Sequence, residues 1–251
     1  MSSGTIQAVR PLAECPVLHV ELLHHFRITS NGLSLELGRS GERMVAYLAL
    51  EDRSLARDRI AGALWPDTSQ SRAAANLRRA LWVVRHHVPG LMRSHAHRLA
   101  LVSGTSVDVR AQRYLIEAIT GGERNTVTAD ELRLLRGDLL PDWDEPWLMA
   151  SRQELRQLRM ISLEAVAAAH LGESRPASAL AVSLCVACEE PLRESAHRLV
   201  IQAHLAQGNW AEAARHYDRY RSQLWAELQL RPGVGLEALM KPVLHDRVLA
   251  R

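Results

Sequence analysis

A mainly helical protein with a small α+β region at its N-terminal end is what this sequence predicts, on three observations. Ala, Leu and Arg are abundant and only 4% of residues are aromatic, a composition that suits helices better than an all-strand sandwich. Apolar residues alternate with polar ones to about residue 37, then recur mostly every three or four positions. Around Pro176 and Trp210, two segments 34 positions apart resemble each other, which is the period of tetratricopeptide-like helical hairpins. The 251-residue length accommodates two domains. We divide the chain into a flexible leader over residues 1–16, a first domain over 17–107 and a second over 108–251.

The leader holds Pro11 and Pro16 without periodicity. Leu18, Val20 and Leu22 then alternate with polar residues, Phe26 and Ile28 continue the pattern, and Leu33, Leu35 and Leu37 resume it after Asn31-Gly32. That pair suits a tight turn, so a small antiparallel sheet is expected. Gly38-Arg39-Ser40-Gly41 breaks the pattern, and Met44, Val45, Leu48 and Ala49 predict a first helix. Ser54 is placed to cap a second helix, with Leu55, Ile60, Ala63 and Leu64 inward and Pro66 closing it after Trp65. Beyond a turn over residues 67–71, a third helix carries an apolar stripe on Ala74, Leu77, Leu81, Val84 and Val88 and stops at Pro89-Gly90. Leu91-Met92, Leu99, Leu101, Val107 and Val109 read as short strands around a basic hairpin tip, Ser94-His95-Ala96-His97-Arg98. Strands, three helices and a closing hairpin are the order of a winged helix-turn-helix, whose third helix enters the major groove of DNA.

The second half reads as helices throughout. Tyr114, Leu115, Ala118 and Ile119 mark one, ended by Gly121-Gly122, and Leu132, Leu134 and Leu135 mark another. Leu139 to Trp143 is a break, and a long helix follows from about Trp147 to Leu171 with Leu148, Leu155, Leu158, Ile161 and Val166 inside. Between the two repeat copies, Pro191 starts a helix burying Leu199, Ile201 and Leu205. Arg231-Pro232-Gly233 closes the last long helix, and Leu236, Leu239, Met240, Val243 and Leu244 form a final amphipathic one.

Charge is distributed unevenly. The net charge is only +3, yet between Asp67 and Asp108 no acid occurs while Arg72, Arg78, Arg79, Arg85, Arg93 and Arg98 do, with His86, His87, His95 and His97 among them. All but one of the 31 cationic residues are Arg, Lys241 being the exception, so codon bias explains Arg over Lys. It does not explain why acids vanish from this segment alone, and a local Arg stripe on a helix is the electrostatic footprint of nucleic-acid binding. With the apolar stripe inward, the outward face of the third helix holds Arg72, Ala75, Asn76, Arg79, Val83 and His86, with Arg78 and Trp82 toward its edges. We assign base reading to Arg72, Asn76, Arg79, Val83 and His86: Arg to guanine, Asn to adenine, Val to a thymine methyl. Ser54, Arg78, Arg85, Arg93, His97 and Arg98 are assigned to the phosphate backbone.

These residues resemble a known family. Arg57 to Asp67, with its Ala63-Leu64-Trp65-Pro66-Asp67 end, and Arg72 to Leu81 are similar to the DNA-binding half of the Streptomyces antibiotic regulatory proteins, a winged helix-turn-helix of OmpR/PhoB type. Glu154 to Arg159, Pro191 to Leu199 and Ala213 to Tyr220 resemble the bacterial transcriptional activator domain that follows it in those proteins. The resemblance implies an activator that binds direct repeats upstream of promoters as a homodimer or side-by-side pair. It further implies recruitment of RNA polymerase and its sigma factor, and control of a secondary-metabolite gene cluster. No G-x-x-x-x-G-K-[ST] loop occurs, so the chain is like the short members of the family. It departs from the family at the wing, where a Gly-rich, Tyr-containing tip is replaced by Ser94 to Arg98.

Other chemistries find little footing. Cys185-Val186-Ala187-Cys188 lies within a helical pattern and lacks a second pair, so packing is its expected role, and three cysteines fit a reducing cytosol better than a disulfide framework. His95-Ala96-His97 and the two His-His pairs lack a carboxylate or thiol companion, and Asp142, Asp144 and Glu145 read as an exposed turn fixed by Pro141 and Pro146. No enzyme, metal or cofactor is expected, and no stretch approaches a membrane span or an export signal, which points to the cytoplasm and its nucleoid. Two rivals remain open: a helical-repeat scaffold without DNA binding, and a ligand-sensing repressor on the same fold.

Overall fold

The computed structural model describes residues 17–249, with side chains to 243; the leader and the Leu244 side chain lie outside the described residues. The chain divides between Val109 and Arg110 into two compact units. In the first, β1 (Leu18–Glu21), β2 (Arg27–Ser30) and β3 (Leu33–Leu35) form the antiparallel meander expected from the alternation. Asn31 and Gly32 both take positive φ, 48° and 81°, the conformation a two-residue hairpin turn requires. Leu18, Val20, Ile28 and Leu37 are buried, whereas Leu33 is exposed.

Helix α1 (Arg39–Glu51) begins earlier than the glycines suggested. Gly41 is not a break but a point of close approach: a Cβ there would stand 3.3 Å from Val84 Cγ2 and 3.4 Å from Leu37 Cβ. Met44, Val45 and Leu48 are buried beneath it. Ser54 does not cap the next helix, because Leu55–Ala56 forms a strand, β4, and helix α2 (Arg57–Leu64) starts directly after it. Helix α3 (Gln70–His87) is followed by β5 (Met92–His95) and β6 (Arg98–Leu101), which pair as a hairpin and take β4 into a three-stranded sheet. Val107 was expected in that hairpin. It lies instead in β7 (Ser106–Val107), which pairs in parallel with β1 on the other sheet, and Val109 is helical. The unit is a winged helix-turn-helix.

Helix α4 (Asp108–Thr120) opens the helical part of the chain. The Asp108 carboxylate accepts hydrogen bonds from the backbone N–H groups of Leu22, Leu23 and Val109, at 2.7 to 2.9 Å, and so ends β1 and starts α4. Helix α5 (Ala129–Leu135) carries a capping box, with Thr128 accepting from Glu131 N–H and Glu131 accepting from Thr128 N–H. Then come α6 (Pro146–Gly172), α7 (Pro176–Glu189), α8 (Glu194–Ala206), α9 (Trp210–Leu228) and α10 (Val234–Leu249). Connections of three to five residues make sequential helices antiparallel neighbours. Pro176 and Trp210, the positions that set the 34-residue spacing, are each the first residue of their helix. Pro191 was expected to start α8, but Pro191 to Arg193 form the turn before it.

Two apolar cores fill the second unit. One joins Leu115, Ile119, Leu135, Met160, Leu163, Val166, Val186 and Val200; the other joins Ile201, Tyr217, Tyr220, Leu224, Leu236 and Met240. Each such side chain contributes about 1.5–3 kcal/mol by leaving water. Tyr114 and Ile161, placed inside by their spacing, are exposed. Among the described residues, no helix is long and apolar enough to cross a membrane.

Candidate nucleic-acid interface

Helix α3 exists because Ala, Leu and Val recur on one side of an otherwise polar run that contains no helix breaker. Its turn is closed by Thr68, whose hydroxyl donates to Trp65 O at 3.1 Å, and by Ala73 N–H donating to Ser69 O at 2.8 Å. The buried side is Ala73, Leu77, Ala80, Leu81, Val84 and Val88. Ala74, expected on it, is only half-buried; Ala73 takes its place, and the whole face rotates accordingly. At about 100° per residue, the side opposite this stripe is centred on Ala75, Arg79, Trp82 and His86, with Arg72 beside them.

Arg72, Arg79 and His86 therefore form an exposed row with one side chain every two turns, roughly 10 Å apart. Among the described residues Arg72, Arg78, Arg79 and Arg93 have no hydrogen-bond or ion-pair partner within the protein. Asn76 and Val83 are half-buried on one flank. With Arg79 they line a cleft of about 430 Å³ against Gly38, Arg39, Ser40 and Trp65, at the N-terminal end of α1. This part of the site is not legible in the sequence, because Gly38 and Gly41 resemble a break and so hide the start of α1.

On the other flank stands the wing. Arg85 donates from Nη2 to Ser94 Oγ on β5 at 2.5 Å, tying the C-terminal end of α3 to the hairpin. Ser54 and Arg98 are brought together: Arg98 Nε donates to Ser54 Oγ at 3.3 Å, and its Nη2 donates to the Ser54 carbonyl. The tip is the two-residue turn Ala96-His97, with Ala96 at φ 50° and His97 O accepting from Arg57 N–H at 2.9 Å. Arg93 and His97 are exposed.

Trp82 is 65% exposed in the middle of the outward side, not at its edge, and its ring stacks on His86 with centroids 5.3 Å apart and planes 4° from parallel. Residues 68–107, which supply α3 and the wing hairpin, contain no acid. The nearest in sequence downstream, Asp108, spends its carboxylate on the three N–H groups named above, and burial holds its pKa above the ordinary value.

The second unit contains polar clusters of another kind. Arg159 is 2% exposed and pairs with Glu189 at 2.6 Å and Asp138 at 2.7 Å beside a cavity of about 330 Å³. Glu145, read as part of an exposed turn, is buried and accepts from Trp147 Nε1 at 3.0 Å. Cys188 is exposed rather than packed, and Cys185 is half-buried with its thiol donating to Ala181 O. Among the described residues no group of three or more His, Cys, Asp or Glu could hold a metal ion.

Comparison with known proteins adds to this geometry. The sequence profile of the bacterial transcriptional activator domain matches residues 108–244. Regulatory protein AfsR of Streptomyces coelicolor is 26% identical over 94% of the chain, which spans 25% of that protein's length. A structure of Mycobacterium tuberculosis EmbR in complex with a low affinity phosphopeptide superposes with a TM-score of 0.69, at 22% identity, over 92% of this chain and 66% of that one. The activator-domain profile, matched over more than half of the chain, makes the protein a member of the bacterial transcriptional activator domain family, and the likeness to AfsR supports a transcription regulator of the Streptomyces antibiotic regulatory protein type.

Proposed function

We propose that the protein is a sequence-specific DNA-binding activator. It binds direct repeats near promoters as a homodimer or side-by-side pair, and recruits RNA polymerase and its sigma factor. The observation that carries this reading is the row of unpartnered cations on α3 in a stretch of chain without a single carboxylate. A solvated helix face with no ligand gains from mixed charges, since i,i+4 acid-arginine pairs stabilise it. Leaving Arg72, Arg78 and Arg79 unpaired costs that support and leaves their donors free for a polyanion.

Within this reading Arg72, Arg79 and His86 face base edges from the centre of α3, while Asn76 and Val83 approach from the flank that borders α1. Arg78 and Arg93 have free guanidinium groups for phosphate. Arg85, Arg98, Ser54 and His97 hold the wing against the body of the unit and present its basic edge to the backbone. The second unit, made of stacked helical hairpins, presents a surface to the transcription machinery. Control of a secondary-metabolite cluster, in the cytoplasm and on the nucleoid, is the physiological setting that fits the family.

Measuring duplex affinity across salt concentrations tests the reading. An interface of six to ten phosphate contacts loses roughly 10³ to 10⁵ in affinity between 50 and 200 mM salt. A flat response favours a protein-binding scaffold. In vitro transcription from the bound promoter then separates activator from repressor, because only an activator raises output.

A further inference from the structure

Trp82 lies between two flanks that both belong to the DNA-facing side: the wing, tied to α3 through Arg85 and Ser94, and the cleft at the start of α1, lined by Asn76, Arg79 and Val83. On a helix the side chains that touch residue 82 are those three and four positions away. Here these are Arg78, Arg79, Arg85 and His86, so an exposed indole is surrounded on its own helix by three guanidinium groups and the imidazole it stacks on. The stack fixes the indole plane and leaves most of the ring in water.

A large exposed aromatic marks a contact surface, and its apolar area of about 150–250 Å² gains when covered. The charges around it select the occupant. A second copy of the same face would bring arginine against arginine, and an apolar protein surface would bury guanidinium groups without partners. A polyanion with an apolar spot at groove depth satisfies both. Among the groups that base pairs show in the major groove, only the thymine methyl is apolar.

We propose that Trp82, held in plane by His86, contacts DNA directly and covers a thymine methyl group in the major groove, an inference that rests on the DNA-binding reading above. The indole then adds a preference for thymine at one position of the site, without adding charge.

The test uses the full chain and duplexes selected by it from a random pool. Trp82→Ala lowers affinity roughly ten-fold at every salt concentration and leaves the salt slope unchanged, whereas Arg93→Ala reduces that slope by about one. Replacing thymines of the selected site singly by deoxyuridine removes only the methyl. At one position this costs the wild type several-fold and costs Trp82→Ala nothing further. Trp82→Phe retains part of the affinity, and the deoxyuridine arm needs no variant at all, so a variant that failed to fold would leave the test standing. Three results overturn the proposal: unchanged affinity in Trp82→Ala, a loss confined to cooperative binding at paired repeats, or indifference of the wild type to every deoxyuridine. Absence of salt-dependent duplex binding by the wild type sinks the DNA reading itself, and that appears before any substitution is made.

Discussion

Most described arginines of the helical unit end on carboxylates or carbonyls, Arg136, Arg198, Arg219 and Arg231 excepted, whereas those on the outward side of α3 end in solvent. Arg193 grips Glu164 through Nε and Nη2 at 2.8 and 3.0 Å, Arg124 grips Glu131 at 2.6 and 3.1 Å, and Arg159 holds Asp138, Glu189 and the Arg136 carbonyl. The same residue type is used in both places, so arginine content alone does not separate structural from functional surface. The acids do. Where the fold needs cross-links between helices, carboxylates are supplied within reach; on the proposed polyanion-binding face of α3, they are withheld.

The largest effect expected from this contrast is on folding. Arg159→Ala leaves Asp138 and Glu189 facing each other without their shared cation and strips the partner from a carbonyl at the end of α5. We expect a loss of about 3 kcal/mol, the low end for removing one member of a buried pair, since both carboxylates keep some access to water. Arg159→Met, which keeps the packing, separates the charge from the volume. Denaturant unfolding checks both, and a change under 0.5 kcal/mol would place Arg159 with the free arginines.

Arg79→Ala should do the reverse. Stability stays within about 0.5 kcal/mol because no protein partner is lost. Affinity for the cognate site falls by ~1–3 kcal/mol, with relaxed preference at one position. Arg93→Ala instead weakens all sequences alike. Identical sequence profiles for the two variants would erase the division between readers and positioners.

A third expectation concerns pH and is confined to the helical unit. His197 and His216 share a hydrogen bond of 2.9 Å, His197 also bonds Pro191 O, and Tyr220 stacks on it. Burial holds both below the ordinary histidine value of 6.5, His216 at about 4 with the neighbouring His197 and the Arg219 charge adding to the effect. The unfolded chain therefore takes up protons that the folded one refuses. Stability from this pair is present above about pH 6.5 and is lost as pH falls toward 4. Replacing both with Leu flattens the dependence of melting temperature on pH, and an unaltered slope would move the cause elsewhere.

Much of the proposed DNA-facing side is legible in the sequence because helical spacing and the missing acids are both local signals. Leu77, Leu81 and Val84 fix the inward direction, and Arg72, Arg79 and His86 follow by geometry. The rotation that puts Ala73 inward and Trp82 at the centre is not legible, since alanine satisfies either side of a stripe. Partners distant in sequence are equally hidden. Ser54 reads as a cap but precedes the strand Leu55–Ala56, whose position depends on Leu99, 44 residues beyond Leu55, and Gly41 reads as a break although it is a point of close approach to Val84 on another helix.

The smallest change in stability makes the sharpest test of why carboxylates are absent. Ala75 is exposed on the outward side, four residues before Arg79 and three before Arg78. Glu at this position, N-terminal to the arginines, forms the favourable i,i+4 arrangement and should stabilise the first unit by about 0.2–0.5 kcal/mol. The same carboxylate would occupy guanidinium donors meant for DNA and stand against its phosphates, so affinity should fall at every sequence, most steeply at low salt where repulsion is least screened. Thermal unfolding and duplex titration on Ala75→Glu then move in opposite directions. If both improved, or if binding were untouched, the empty acid positions of this segment would carry no functional meaning, and the contrast with the paired arginines of the helical unit would be one of composition alone.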